Sequence, residues 1–456
     1  MTFKNDSMLR GPLLKNILLY TYPIILTSIL QLLFNAADLV VVGRFCGSVS
    51  VAAVGATGSI TGLIVNLFIG LSIGTGVTAA QSIGARDEQR VYRIVHTTLP
   101  AAIICGVFLT VFGIAFSGTF LRWMGTPEDV LPLSTIYMQI YFGGVTFTMV
   151  YNFCASILRA AGDTKSPLKF LTIAGVLNVV LNLFFVIVLH MNVAGVALAT
   201  AIAQAVSAIL VVIALTKRMD SCHLDLKQMH IYKAELLQII RIGLPAGIQS
   251  SLFAISNVLI QSSINSFGSV LMSGNAAAGN LEGFVYVTLN AFYQTMINFT
   301  GQNVGAGQYR RVYKILWYCL GCAAVAGLLA GTLLWAAGPV LLSIYITDSA
   351  EAIAYGMIRL TYVALPYFLC GIMDVSTGAL RGMGASVPPM IISVLGVCGV
   401  RIGWILTIFQ IPAFHTPQSL YFSYPVSWTL TFLLQTAAFF ILMRKQIRRN
   451  EVRENG

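Results

Sequence analysis

The sequence predicts an all-α membrane protein: twelve transmembrane helices in two six-helix bundles related by a parallel repeat. Three observations predict it. Of the 456 residues 57% are hydrophobic and only 9% charged, against roughly 25% charged in a soluble domain. Twelve apolar runs reach the length of about 20 residues needed to cross a bilayer. The two halves of the chain also repeat each other's motifs.

The runs lie at 13–42, 51–79, 92–117, 132–156, 167–189, 194–216, 237–265, 271–299, 312–335, 353–378, 388–410 and 422–443. The formal net charge of +11 would suggest nucleic acid in a soluble protein. Here the basic residues alternate by side, as the positive-inside effect requires. Lys4, Arg10 and Lys15, the sets Arg86/Arg90/Arg93, Lys217/Arg218/Lys227/Lys233 and Arg310/Arg311/Lys314, and Arg444 to Arg453 mark one side. The opposite connections hold only Arg44, Arg122 and Arg359, with Glu128, Asp129, Asp348 and Glu351 nearby. Both termini are therefore expected in the cytoplasm. No cleavable signal peptide is expected, because residues 1–12 are polar and the run after them is long enough to span.

The longest hydrophilic connection, 217–236, divides an amino-terminal lobe (1–216) from a carboxyl-terminal lobe (237–456). Gln81-x-x-Gly84-Ala85 returns as Gln302-x-x-Gly305-Ala306, an offset of 221, and Leu158-Arg159-x-x-Gly162 returns as Leu380-Arg381-x-x-Gly384, an offset of 222. Pro23 and Pro245 match, as do Asn35 and Asn257. Six spans per half is an even number, so both halves enter the membrane in the same sense.

Against this background an ionisable residue inside a span is a functional candidate. Gln31, Asn35 and Asp38 are spaced i, i+4, i+7 and share one helix face. Asn178 and Asn182 (i, i+4 in span 5) and Thr200 in span 6 are the candidate partners of Asp38. One carboxylate, two amide oxygens and a hydroxyl suit a hard cation such as Na⁺; they also suit a proton site, or a structural hydrogen-bond cluster. Glu282 either binds a cationic substrate or pairs with a polar neighbour. Asp374 and Arg401 are candidates for an ion pair or gate, with Glu282 a candidate partner of Arg401, read as the one basic residue clearly inside a span.

No enzyme constellation is present. There is no phosphate-binding Gly-Lys-Ser/Thr loop, and the five histidines are dispersed without metal-ligand spacing. Cys319-x-x-Cys322 in an apolar run reads as packing. No cofactor is expected beyond a coupling ion, H⁺ or Na⁺, and no nucleic-acid partner.

The residues resemble the multidrug and toxic compound extrusion (MATE) family. The resemblance is carried by Asn35-x-x-Asp38-x3-Val42-Gly43-Arg44, Ala80-Gln81-x-x-Gly84-Ala85, Leu158-Arg159-x-x-Gly162-Asp163, Gly195-x-Ala197-x-Ala199-Thr200-x3-Gln204, Gln302-Asn303-x-Gly305-Ala306-Gly307 and Gly378-Ala379-Leu380-Arg381-Gly382. It implies two six-helix bundles in a V, exporting mostly cationic or planar organic compounds from a bacterial cytoplasmic membrane in exchange for Na⁺ or H⁺, as a functional monomer. The family's cation site carries over to Asp38, Asn178, Asn182 and Thr200, and its cavity lining to Gln31, Tyr137 and Asn152. Some branches have Asp at the position of Asn182; others place a Glu near Phe253 and an Asp at Cys370, a site this chain lacks. A lipid-linked saccharide flippase is the alternative transporter, but it should line its cavity with several cations, where this chain offers Arg401. A channel or membrane-embedded enzyme is the reading from another class.

Overall fold

The computed structural model describes residues 6–347 and 349–454. Lys4 and Asp348 of the orientation argument lie outside them, as does the side chain of Arg453. Among the described residues twelve long helices follow in order: α1 (Leu13–Phe45), α2 (Ser48–Gly84), α3 (Glu88–Trp123), α4 (Leu131–Ala160), α5 (Lys165–Val188), α6 (Asn192–Thr216), α7 (Lys233–Asn265), α8 (Ser269–Gly305), α9 (Tyr309–Ala336), α10 (Ala350–Gly382), α11 (Val387–Gln410) and α12 (Pro417–Glu454). Eleven are long and apolar enough to cross a membrane by length and composition alone. The exception is α8, which carries Glu282, Tyr286, Asn290, Gln294 and Asn298 at every fourth position. That spacing forms a polar stripe along the helix. Gln294 donates to Asn290 Oδ1 at 3.1 Å, and Asn298 donates to the Gln294 carbonyl at 2.9 Å.

The repeat is visible in the backbone of the turns. Gly47 (φ 87°) matches Gly268 (φ 93°), and Gly162 (φ 88°) matches Gly384 (φ 85°), at the offsets found in the sequence. Arg86 (φ 55°) takes the left-handed conformation that Gly307 (φ 70°) takes in the second half. After Gly162 and Gly384 the next amide closes the helix end, Asp163 N to Leu158 O at 2.8 Å and Ala385 N to Leu380 O at 3.1 Å. This is the wrap that a left-handed residue beyond a helix permits.

The chain forms two compact units, which divide inside helices rather than at the 217–236 connection. Tyr22–Ser250 belongs to the first unit, and Met8–Thr21 joins Ser251 onward in the second. Side chains account for the exchange. Thr21 bonds Thr295 at 2.8 Å, Tyr20 meets Phe299 edge-on with centroids 5.4 Å apart, and Asn303 and Arg311 donate to the Met8 carbonyl at 3.1 and 3.4 Å. The start of α7 is held in the first unit by close backbone contact. A Cβ on Gly243 would lie 2.5 Å from Leu71 Cα, and one on Gly70 would lie 2.3 Å from Gly247 N. Small residues let helices come this near in lipid.

The connection expected as a linker is a docked part of the first unit. Leu224 and Cys222 are buried in its core, and burial pushes the Cys222 thiol up to about 12. The Asp225 amide donates to His96 Nε2 at 3.1 Å, and the Tyr232 amide to Thr97 Oγ1 at 3.1 Å. Arg218 pairs with Asp220 at 2.5 Å and approaches Asp163 at 3.9 Å. Partial burial opposes ionisation of Asp220, but the Arg218 guanidinium outweighs it and holds the carboxyl below its ordinary value. That stabilisation is present above the ordinary carboxylate range and is lost as pH falls through the lowered value.

Inside each unit one helix is central. In the first, α4 packs on α2, α3 and α6; in the second, the latter part of α10 packs on α8, α9 and α12. Phe142, Phe153, Met138 and Met149 of α4 are fully buried. Phe142 fits because Gly113 of α3 has no side chain: a Cβ there would sit 2.1 Å from the ring. Gly113→Val is therefore expected to overpack the unit by about 1–3 kcal/mol, read as a lower Tm of the purified protein. A Tm equal to that of the parent would contradict this packing.

Three helices contain a π-helical stretch: Phe184–Val188 in α5, Leu360–Ala364 in α10 and Val394–Gly399 in α11. Such wide turns are rare and often lie at functional sites. Each abuts a polar residue singled out below: Asn182, Arg359 and Arg401.

Candidate functional site

Asp38 lies two turns before the end of α1, Asn182 near the end of α5, and Thr200 two turns into α6. These positions bring them to the same end of the first unit. The approach of α1 to α5 depends on Gly175, where a Cβ would stand 1.8 Å from the Phe34 ring. Phe34 and Gly175 sit about one turn before Asp38 and Asn178 respectively, so their contact sets the spacing of the polar groups.

The structure brings together all four residues of the expected cation set. Asn182 Nδ2 donates to Asp38 Oδ1, and Thr200 Oγ1 donates to Asp38 Oδ2 at 3.3 Å. Asn178 Nδ2 donates to Thr200 Oγ1 at 3.2 Å, and Asn182 Nδ2 reaches Asn178 Oδ1 at 3.4 Å. Asn178 and Asn182 are buried, Asn182 completely, whereas Asp38 and Thr200 keep partial exposure. Asn182 Oδ1 is buried without a hydrogen-bond partner. A buried amide oxygen left bare costs about 1–3 kcal/mol, so the cluster holds one acceptor without a donor.

The remaining first-unit candidates do not join this cluster. Gln31 and Asn35 share the face of Asp38 but are exposed and make no hydrogen bond among the described residues. Tyr137 packs beside Val41, Val42 and Val193, an apolar patch that borders Asp38. Asn152 bonds the Thr148 carbonyl of its own helix at 2.8 Å. It lies 15 residues from Tyr137, about 22 Å along the axis at 1.5 Å per residue. The two cannot line one small site.

In the second unit the partner of Glu282 is Arg359, not Arg401. Arg359 Nε and Nη2 hold the Glu282 carboxylate at 3.0 and 2.7 Å. Arg359 Nη1 and, at 3.0 Å, the Tyr421 hydroxyl both donate to Asn275 Oδ1. Arg359, expected from the sequence in a connection between spans, lies within α10, its side chain 14% exposed. The missed signal is its position nine residues beyond the start of that helix, facing the polar stripe of α8. Both carboxylate oxygens of Glu282 are taken up by this pair.

Asp374 and Arg401 form no ion pair with each other or with another charge among the described residues. Arg401 Nε donates to Ser427 Oγ at 3.0 Å, and its guanidinium stands 3.9 Å from the Tyr424 ring centroid and 5.5 Å from that of Trp428. No group of three or more His, Cys, Asp or Glu side chains with metal-binding geometry occurs among the described residues.

The sequence pattern of the MatE family matches residues 23–184 and again 245–405, well over half of the chain and once in each repeat. The chain belongs to the MatE family. Its relatives in that family include the probable multidrug resistance proteins YpnP and YoeA of Bacillus subtilis. YpnP is 28% identical over 86% of this chain and 87% of its own length, and YoeA 25% identical over 94% of each. The multidrug export protein MepA of Staphylococcus aureus is 20% identical over 85% of each. A solved structure described as the outward-facing conformation of a multidrug resistance MATE transporter superposes with a TM-score of 0.91 at 21% identity, covering 98% of this chain and 100% of that one. The all-helical fold is thus that of MatE transporters.

The Glu282–Arg359 pair is buried, and breaking one side of such a pair costs about 3–5 kcal/mol. Glu282→Gln should therefore lower the Tm sharply, while Glu282→Gln combined with Arg359→Met should recover much of the loss. Equal Tm values for parent and single variant would contradict the pairing.

Proposed function

We propose that this MatE transporter is a cation-coupled exporter of drug-like organic compounds from a bacterial cytoplasmic membrane, with both termini in the cytoplasm. The observation that carries the coupling reading is the bare Asn182 Oδ1 beside the Asp38 carboxylate. A Na⁺ ion would take that oxygen together with Asp38, Asn178 Oδ1 and Thr200 Oγ1, an all-oxygen set that hard cations prefer. A proton on Asp38 would serve as well, since the protonated carboxyl could donate to Asn182 Oδ1 once the amide turned over. Either ion removes the orphan and neutralises a carboxylate that is costly in the membrane.

Coupling then needs only a difference in affinity. If the ion binds one arrangement of the protein better and the organic compound another, each shifts the population against the other. One charge falling through 100 mV supplies about 2.3 kcal/mol, enough to drive uphill export without ATP.

Efflux of a fluorescent organic cation from vesicles, with Na⁺ and pH gradients imposed separately, tests the reading. Asp38→Asn should abolish gradient-driven efflux while the protein still reaches the membrane. Undiminished efflux by that variant would reject Asp38 as the coupling residue. Thr200→Ala removes one hydrogen bond to a charged group, so the driving ion should be needed at about tenfold higher concentration. An unaltered ion dependence would remove Thr200 from the site.

A further inference from the structure

The segment between α6 and α7 is fastened in two different ways. Cys222 and Leu224 are buried in the core of the first unit, whereas 225–232 is mostly exposed and is held by a few hydrogen bonds. The bond at its start is to His96, a side chain with no exposed surface. Both ring nitrogens of His96 are committed. Nδ1 lies 2.8 Å from the Tyr92 carbonyl, which can only accept, so Nδ1 carries a proton. Nε2 receives the Asp225 amide N–H at 3.1 Å, so Nε2 presents a lone pair. The docked segment thus demands a neutral imidazole in one tautomer.

The surroundings offer a protonated ring no substitute. Tyr92 stacks on it with centroids 3.9 Å apart. The Asp225 carboxylate spends both oxygens on the turn Leu226–Gln228, accepting from the Lys227 amide and from Gln228 Nε2 at 2.9 Å each. Of the other charges nearby on α3, Arg93 is turned to Glu235 of α7 at 3.8 Å, and Arg90 donates to Gln238 Oε1. Lys227 and Lys233 are exposed. Helices α2 and α6 hold no charged residue, and α4 only Arg159. A proton on Nε2 would therefore set one N–H against another, and a buried imidazolium would face no acceptor there.

We propose that His96 is a latch, which holds 225–232 against α3 while its ring is neutral and releases it when Nε2 takes a proton. The join between the two repeats then slackens in acid. The proton and the Asp225 amide compete for one lone pair. Docking is complete at high pH and is lost as pH falls through the range where histidines titrate, about pH 8 to 5. Thr97 secures the far end through the Tyr232 amide and the His230 carbonyl, which keeps the strap close enough to dock again. That the acidity sensed is the cytoplasm's rests on the orientation proposed above; the latch itself depends neither on that orientation nor on Asp38.

Hydrogen–deuterium exchange of the purified full chain tests it, read by mass spectrometry at pH 7.5 and 5.5 with labelling times scaled for the intrinsic pH dependence of exchange. In the parent protein, protection of peptides covering 225–232 should fall about tenfold at the lower pH, the loss of one hydrogen bond. Peptides of α4 should keep theirs. His96→Gln, whose amide oxygen accepts but does not titrate, should change by less than about twofold. His223→Gln and His230→Gln should retain the acid release, because His223 is exposed and bonds the Arg218 carbonyl through Nδ1, and His230 lies against the Tyr232 ring. Asp225→Asn, which keeps the amide donor and removes the carboxylate, should retain it too. These three variants isolate His96 even where its own replacement does not fold. Equal protection at the two pH values in the parent protein overturns the latch. So does acid release that survives in His96→Gln, or that vanishes in any of the other three.

Discussion

A charge inside a hydrocarbon layer must be answered by the protein itself, and this constraint arranges both units. Each unit answers it differently. Asp38 is held by the Asn182 amide and the Thr200 hydroxyl, with Asn178 behind them, a set of neutral dipoles that leaves one oxygen bare. Glu282 is held by a full opposite charge, with Asn275 and Tyr421 absorbing the remaining donors of Arg359. Arg401 is held by ring faces, which attract a cation without giving its N–H groups an acceptor. The second arrangement is closed; the first and third are open. An ion or a ligand has room to act only where the polar chemistry is incomplete.

These clusters need helices at close quarters, and close quarters in lipid come from missing side chains. Gly175 seats Phe34 and so brings α1 to α5 at the Asp38 cluster. Gly113 seats Phe142, and Gly243 and Gly247 seat the backbone of α2. At Gly175 the missing side chain is what places a carboxylate on one helix within hydrogen-bond reach of an amide on another.

Much of this was legible in the sequence. Length and hydropathy give the helices, the motif offsets give the repeat, and the cost of Asp38 picks out the residue whose partners then follow from spacing. Three things were not legible. The Arg359 pairing was hidden because a charge near a helix start looks like a loop residue until α8 presents Glu282 to it. The docking of 217–236 depends on Cys222 and Leu224, two apolar residues in a polar stretch, finding a core made by distant helices. The exchange of segments between the units is decided by contacts such as Thr21 with Thr295, which no local pattern announces.

The π-helical turns carry a further consequence. A wide turn holds one residue more than an α-turn, so every side chain beyond it is rotated by about 100° relative to the helix before it. In α5 the wide turn comes after Asn182; in α11, the repeat counterpart, it comes before Arg401. The two halves therefore run in phase up to different points, and equal sequence offset stops meaning equal direction. Two repeats of one scaffold can in this way present unlike residues at matching positions, with the turns that bound the helices left in register.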